Sequence, residues 1–354
     1  MNNVAIRLVS QSANADSTVC INCQFAASPS AIFAMNHLNS RTSPQVLQAI
    51  IAICSWLLSC TAFAQDAATA SDAAESPAPL VWHDSYEAAR SKAIEKHTCL
   101  WLVFHDAEPA QIDSWKNQID RDLPLQAFLQ KQSCALISIH SENQAKEDSV
   151  ADGSQRLVNH PAFVELRQRA GLVVVDFREP DSPNFRQVIS VVPNGWCDAS
   201  RDNHPPLLPK LTDLREVTRL PLCSLTVRTL LLAVRTHPDS PQSTDGEFHP
   251  VLHSEAVKHA KLQADLGVQG HHDWGVRFQR INEQLPTDVI AQEVCAESWS
   301  GQGLLAAARE CVHSWHQSPG HWNAVSARHP FFGYDMQRGA NGTWYATGIF
   351  GKRR

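Results

Sequence analysis

The sequence predicts a two-domain protein, an α/β domain followed by an α+β domain. Helical and strand patterns alternate over residues 80–195, whereas residues 222–351 contain helical patterns followed by a hairpin signal. Residues 196–221 are rich in Pro and polar side chains and predict a linker between the two regions. Alternating elements are typical of α/β domains, and helices followed by an antiparallel sheet are typical of α+β domains. A chain of 354 residues also exceeds the usual size of one domain.

In the first domain, short apolar runs alternate with helical patterns. Tyr86, Ala89, Ala93 and Ile94 recur at helical spacing and predict a helix. Buried strands are predicted at residues 100–104, 134–139, 172–177 and 187–192, and a further helix is predicted to begin at Pro161.

In the second domain, three helices precede a hairpin. The first helix lies within residues 224–237, with Pro238 after its end, the second ends at Gly267 and the third covers residues 304–315. Asn341-Gly342, between two aromatic-rich runs, is typical of a hairpin turn. We expect Pro319-Gly320 to end the third helix in a tight turn.

The overall composition indicates a folded protein and excludes one class of partner. Hydrophobic residues make up 43% of the chain and charged residues 19%, as in globular proteins. The formal net charge is -6 and the chain has no long basic block, so nucleic acid is not expected as a partner.

The first 64 residues predict an export signal. An apolar run at residues 45–60 follows Arg41, and Ala62-Phe63-Ala64 places small residues at a cleavage position before Gln65. The run is short for a membrane-spanning helix. Some forty residues precede the run, and a start at Met35 would give a signal of ordinary length.

Cys60 leaves two other readings of this segment open. Leu57-Leu58-Ser59-Cys60 has the pattern of a weak lipobox, which would make Cys60 a lipid anchor, and the segment could also stay uncleaved. The linker at residues 65–79, rich in small residues and Pro, would follow. We expect a secreted, periplasmic or cell-envelope protein, with membrane contact only if Cys60 is lipidated.

Three polar clusters in the second domain are the candidate functional residues. Imidazoles and a carboxylate from separate loops are ligands that a divalent cation such as zinc accepts, with water in the remaining positions. The clusters contain His271 and His272 after the second helix, Glu293 and Glu297 before the third, and His321 after Pro319-Gly320. The alternative for His321 is a structural histidine beside the turn, and His329 is expected on the surface.

The order of these blocks resembles the CAP superfamily (cysteine-rich secretory proteins, antigen 5 and pathogenesis-related proteins). Bacterial, SCP-like members read "A..HA", a His, "GEN", "W..SPGH" and a closing aromatic strand. This chain has "AVKHA" at 256–260, "HHD" at 271–273, "AES" at 296–298 and "WHQSPGH" at 315–321. The resemblance covers residues 222–351 and implies an α-β-α sandwich.

The resemblance also implies a functional cleft. His272, or its neighbour His271, would line it with Glu297 and His321, and this set would hold a divalent cation, often zinc. The chain departs from the family where "GEN" has become "AES" and where Ser318 replaces a second glutamate found in many members. A three-ligand cation site and an empty polar cleft, in which Glu297 hydrogen-bonds a histidine, both remain open.

The first domain resembles a thioredoxin-like domain, in which a helix precedes an apolar strand. Redox members carry C-x-x-C after that strand, where this chain reads Ala107-Glu108-Pro109-Ala110, and Cys99 lies before the strand. Dithiol exchange is therefore not expected. The domain would be a scaffold or a partner-binding module, and another small α/β fold is the alternative.

Six cysteines remain after the predicted cleavage site, and export would permit disulfides. None of them forms a C-x-x-C, so a thiolate zinc site is not supported. Cys295 and Cys311 are the first candidate pair, and buried free thiols are the alternative.

Three functions follow from these observations. We expect an extracytoplasmic binding protein, aided by a cation, whose ligand is a lipid, a glycan or a protein. The first alternative is a hydrolase in which Glu297 is the base for a metal-bound water, and the second is a structural envelope protein. The chain has no H-E-x-x-H and no G-x-S-x-G, which favours binding over catalysis, and neither nucleotide nor flavin is expected.

Overall fold

A computed structural model describes residues 79–140, 156–197 and 205–354. The predicted export signal, Cys60 and nearly all of the predicted linker at 65–79 lie outside the described residues. Within the described part of the chain, no helix is both long enough and apolar enough to cross a membrane.

The first half contains a five-stranded mixed sheet. Its strands are β1 (Trp82–His83), β2 (Cys99–His105), β3 (Ser133–Ser138), β4 (Gly171–Asp176) and β5 (Val188–Pro193). They follow the order β1-β3-β2-β4-β5, with β3 parallel to β1 and β2, and β4 antiparallel to β2 and β5. Because β2 is central and both faces are covered, all seven of its residues are buried.

Helices cover this sheet on both faces. They are α1 (Tyr86–Lys96), α2 (Pro109–Arg121) and α3 (Leu123–Leu129), with 3₁₀ turns at Leu157–Asn159 and Pro161–Leu166. Ala89 and Ala93 of α1 are fully buried on one face, in agreement with the predicted spacing. The predicted helix at Pro161 is a 3₁₀ turn instead of an α-helix, and it ends where Arg167 adopts a left-handed conformation.

Part of the predicted linker at residues 196–221 is a helix. Helix α4 (Leu211–Thr218) lies within it, and Leu214, Val217 and Leu220 are buried in the core. Leu214 and Val217 lie three residues apart and share one side of the helix, and Leu220 follows its end. The described part of this segment therefore packs as structure and is not a free linker, a correction to the sequence-based prediction.

The second half contains a four-stranded sheet. Its strands are β6 (Glu247–Phe248), β7 (Val289–Glu297), β8 (Phe331–Arg338) and β9 (Trp344–Arg353), in the order β6-β8-β9-β7. Strands β7, β9 and β8 pair antiparallel. The β8–β9 hairpin turns at Gly342, whose φ of 78° explains the Asn-Gly signal.

Five helices sandwich this sheet, so this half has three layers. They are α5 (Leu225–Arg235), α6 (Pro250–Leu266), α7 (Trp274–Asn282), α8 (Leu304–Gln317) and α9 (Pro319–Ser326). Helices α6 and α7 pack on one face, and α5, α8 and α9 pack on the other. Helix α6 approaches closely because β8 carries Gly333, where an added Cβ would lie 2.2 Å from the His253 nitrogen.

The two halves share one core, and the described residues form one compact unit. Helix α5 contacts both β5 and β8. Its Arg228 is 2% exposed and donates to Ser190 Oγ of β5 at 2.7 Å and to the Pro221 carbonyl at 2.8 Å. Glu165 accepts a hydrogen bond from the Leu304 nitrogen at 2.7 Å, and so caps α8 from the other half.

Candidate functional site

The site begins with the alternation of side chains along β7. Val294 and Ala296 point into the core shared with α8, so Glu293 and Cys295 point to the opposite face, towards α6. The same alternation places Glu297 on the face of Glu293. A carboxylate and a thiol are thereby set beneath the loop between α6 and α7.

Glu293 is the buried anion of the site. Its side chain is 1% exposed, accepts a hydrogen bond from His271 Nδ1 at 3.0 Å and forms an ion pair with Arg277, which is itself 7% exposed. Burial raises the pKa of the Glu293 carboxyl, but the hydrogen bonds from His271 and Arg277 outweigh it and lower that pKa below the usual value. Glu293 is therefore ionised at neutral pH.

His271 and His321 face each other above this carboxylate. Their Nε2 atoms are 3.5 Å apart, and the His271 side chain is 42% exposed, so the pair is reached from solvent. Because a carboxylate only accepts, His271 Nδ1 donates to Glu293, and in a neutral ring Nε2 is then the nitrogen with the lone pair. Burial, followed by the proximity of His271, lowers the pKa of His321, which favours a neutral second imidazole.

His321 reaches this position through a helix and not through the predicted turn. Helix α8 ends at Gln317, Ser318 is an extended cap, and Pro319 opens α9. Pro is favoured at the first helical position because it has no N–H to leave unpaired there. His321 therefore lies in the first turn of α9, a correction to the expected Pro-Gly turn.

The geometry of the two imidazoles fits a zinc-type cation. Two nitrogens bound at about 2.0–2.1 Å in a tetrahedral arrangement lie roughly 3.3 Å apart, close to the observed 3.5 Å. A carboxylate on the far nitrogen of a metal-binding histidine fixes its tautomer, and Glu293 has this place relative to His271. The chain thus supplies two candidate ligands, His271 and His321, with Glu293 and Arg277 as their support.

A second group of metal-type side chains lies beneath the pair. One ligand atom each from His259, Glu293 and Cys295 lies within 4.8 Å of the others, and all three residues are buried. Burial raises the pKa of the Cys295 thiol well above its usual value, so a thiolate is disfavoured. Arg277 already neutralises Glu293. This group is better described as a hydrogen-bonded network that supports His271 than as a cation site.

Among the described residues, His272 and Glu297 form no side-chain hydrogen bond with His271, Glu293 or His321, although the His272 ring centroid lies 6.0 Å from that of His259. His272 Nε2 lies 3.1 Å from the Val268 carbonyl oxygen, so its ring is used locally, and His271 is the histidine that faces His321. Glu297 ends β7 on an exposed position and makes no side-chain hydrogen bond with any described residue. Partial burial raises the pKa of its carboxyl.

Sequence reasoning missed Glu293 as the carboxylate that contacts the histidines, and it missed His259 and Arg277 altogether. Glu293 and Glu297 stand four residues apart on one strand face, so the sequence alone offered two equivalent carboxylates. Their difference arises because Arg277 and His271 reach Glu293. His329, expected on the surface, is 2% exposed and stacks on Phe350 with ring centroids 4.6 Å apart.

The predicted Cys295–Cys311 disulfide is not formed. All six cysteines in the described residues are free thiols. Cys295 contacts His259 of α6, whereas Cys311 is buried on α8 in the core on the opposite face of the sheet. The strand itself separates the two sulfur atoms, which explains why no bridge forms.

In the first half, the end of β2 carries polar residues in place of a dithiol. His105 ends the strand, and Asp106 Oδ1 lies 2.8 Å from His140 Nε2. Glu108 caps the following helix, which begins at Pro109. The loop that follows β2 therefore presents the Asp106 carboxylate, which contacts the His140 imidazole from the segment after β3.

Comparisons with known proteins give little further information. No protein-family model matches the sequence, and no curated protein matches it. Among solved structures, an outer surface protein from Borrelia burgdorferi is similar at 21% sequence identity with a TM-score of 0.25. The match covers 31% of this chain and 78% of that chain. A similarity at this TM-score carries no argument about fold or function.

Proposed function

We propose that this chain is an exported binding protein whose second half is a CAP-like domain with a cation-assisted cleft. The observation that carries the proposal is the facing His271–His321 pair, 3.5 Å apart and reached from solvent, above the buried Glu293. When bound, a cation such as zinc would supply a positive centre for an anionic or carbonyl group of a lipid, glycan or protein ligand outside the cytoplasm.

Each residue of the cleft has a separate role in this proposal. His271 and His321 hold the cation through their Nε2 atoms. Glu293 orients His271 by accepting the Nδ1 proton, and Arg277 keeps that carboxylate ionised and in place. The three-layer arrangement around the second sheet supports the CAP-like assignment, because the fold that the resemblance implies is an α-β-α sandwich.

The first half is proposed as a redox-inactive, thioredoxin-like scaffold. Arg228 and Glu165 support this role, since their hydrogen bonds join the two halves through a buried side chain and a helix cap. A rigid scaffold would hold α8 and α9, and with them His321, in a constant position relative to β7.

Zinc binding by the purified chain tests the proposal. Isothermal titration of the metal-stripped protein with zinc should give saturable binding, and His271→Ala and His321→Ala should each weaken it more than about 100-fold. His313→Ala is the matched control, because His313 is exposed on α8 and hydrogen-bonds only Gln317. Zinc binding that survives in the double variant would overturn the proposed cleft.

A hydrolase is the second candidate, because the Glu297 carboxyl is unpaired among described residues and has a raised pKa, as a general base requires. An activity that is lost in Glu297→Gln, with folding and zinc content retained, would support the hydrolase. A chain that binds neither zinc nor any of the three ligand classes would instead be a structural envelope protein.

Export is tested separately on fractionated cells. The mature N-terminus determined by mass spectrometry should be Gln65, and an acylated Cys60 would identify a lipoprotein. A full-length chain that remains in the cytoplasm would refute export under either reading.

A further inference from the structure

A groove lies between α6 and α7. Its volume is about 450 Å³. Lys258 and His259 line it from α6, and Arg277 and Arg280 line it from α7. None of these four residues is one of the two proposed cation ligands.

Two of the cations are held in place and still exposed. The Lys258 and Arg280 side chains are 64% and 49% exposed, and both contact Glu255, whose side chain is 4% exposed. Burial raises the pKa of Glu255, but hydrogen bonds from these two cations lower it overall, so the carboxylate is ionised. Glu255 accepts one hydrogen bond from each of these two side chains. An ammonium group has three N–H donors and a guanidinium group has five. Both side chains therefore retain donors for a ligand.

His259 lies beneath the groove with one nitrogen unused. The residue is 1% exposed, and its Nε2 has no hydrogen-bond partner. Its Nδ1 is 3.1 Å from Thr347 Oγ1, towards the sheet, so Nε2 is the nitrogen left on the groove side. An unpaired buried polar atom is unfavourable, and this cost is removed when a ligand supplies the partner.

The ring of His259 is neutral, and its free nitrogen suits a phosphate in either tautomer. Burial lowers the pKa of His259 to about 4. The Nδ1 atom lies 3.1 Å from Thr347 Oγ1 and 3.4 Å from Glu293 Oε2, so its partners are within the protein in both tautomers. Nε2 donates to a phosphate oxygen when it carries the ring proton, and accepts from a phosphate hydroxyl when it does not.

Charge in the groove is mostly positive. Among the described residues that line it, Asp273 is the carboxylate, opposed by Lys258, Arg277 and Arg280. Glu255 and Glu293 are already paired with these cations. The two carboxylates orient the cations and also reduce the positive potential in the groove. Donors arrive from different directions on separate residues, which suits a group with three terminal oxygens better than a planar carboxylate.

We infer that the groove between α6 and α7 is a binding site for a phosphate group, formed by Lys258, Arg280 and the unpaired nitrogen of His259. The phosphate is free or part of a small ester. Val276, 68% exposed on α7, lines the groove and offers an apolar contact to the organic part of an ester. The site is separate from the His271–His321 pair and does not depend on a cation.

Calorimetric titration of the metal-stripped full chain with inorganic phosphate, at constant ionic strength in chloride, tests the inference. Wild type should bind one phosphate, and Lys258→Gln should weaken binding about tenfold, as expected for one charge-assisted hydrogen bond at a partly exposed position. The matched control is Lys261→Gln on the same helix, because Lys261 pairs with Asp265 and does not line the groove. It should bind as wild type does.

Two further measurements separate this site from the cation cleft and identify the form of phosphate. His321→Ala should leave phosphate affinity unchanged even if zinc binding is lost. Glycerol 3-phosphate that binds at least as tightly as inorganic phosphate indicates an ester site, and weaker binding indicates a site for the free ion; both results support a phosphate group. Absence of saturable binding, or equal affinity in wild type and Lys258→Gln, would overturn the inference.

Discussion

The carboxylate of Glu293 is expected to stabilise both the fold and the cation cleft, and Glu293→Gln tests both. The substitution keeps the size of the side chain and removes its charge. Arg277, 7% exposed, would then lose its counterion while remaining buried. Removal of one partner of a buried ion pair costs about 3–5 kcal/mol, and glutamine retains one acceptor, so we expect about 3 kcal/mol.

Urea unfolding followed by circular dichroism measures this loss of unfolding free energy. Thermal unfolding gives a second measure: at about 2–4 °C per kcal/mol for a chain of this size, its midpoint should fall by roughly 6–12 °C. Glu255→Gln is the matched control, since it is equally buried but its partners Lys258 and Arg280 reach solvent. We expect it to cost about 1 kcal/mol, because solvent takes over the pairing.

Zinc titration gives the second measurement on Glu293→Gln. Loss of the carboxylate that orients a metal-binding histidine should weaken zinc binding about 10–100-fold, and Glu255→Gln should leave it unchanged. A Glu293→Gln variant within about 0.5 kcal/mol of wild type, with unchanged zinc affinity, would refute both the buried ion pair and the proposed role of Glu293.

Three other changes probe the fold. Arg228→Met should cost about 3 kcal/mol in urea unfolding, because it leaves Ser190 and the carbonyls of residues 217, 220 and 221 without their donor; a neutral result would refute the buried link. Glu165→Ala should cost about 1 kcal/mol by removing the cap of α8, against no change for Glu179→Ala as control. Reducing agent should not shift the unfolding midpoint, because Cys295 and Cys311 are free, whereas a bridge over a loop of this size would add about 3 kcal/mol.

His329 predicts a dependence of stability on pH. Burial is the main cause that lowers its pKa in the folded protein, so the neutral ring is favoured there. Its contribution to stability is therefore present above the unfolded pKa of about 6.5 and is lost as the pH falls below it. Unfolding in urea at pH 7.5 and pH 5 should show a loss on acidification that is smaller in His329→Gln. An equal loss in both proteins would contradict this assignment.

Much of the secondary structure was predictable because it follows from local patterns. The apolar run at 100–104 predicted a buried strand, and Asn341-Gly342 predicted the position of the β8–β9 turn. Helices α5, α6 and α8 followed from apolar spacing with recognisable ends. Helix α4 was missed because the prolines around it suggested a linker, although its buried residues recur at helical spacing.

The choice between neighbouring residues was not predictable. His271 and His272 are adjacent and chemically identical, and Glu293 and Glu297 share one strand face. Only the path of the loop from α6 to α7 sets His271 beside Glu293 and turns His272 towards Val268. Likewise, the sequence could not show that the sheet lies between Cys295 and Cys311 and keeps them from pairing.

The amino-acid sequence by itself determined the mixed α/β class, most strands and helices, the absence of a dithiol in the first half and the blocks that contribute histidines and carboxylates. These features depend on residues close together along the chain. The tertiary structure decided which imidazole meets His321, which carboxylate is buried with an arginine, and that the groove between α6 and α7 gathers cations around an unpaired nitrogen. Such contacts depend on packing between distant segments, where a displacement of one strand position moves a side chain to the other face of a sheet.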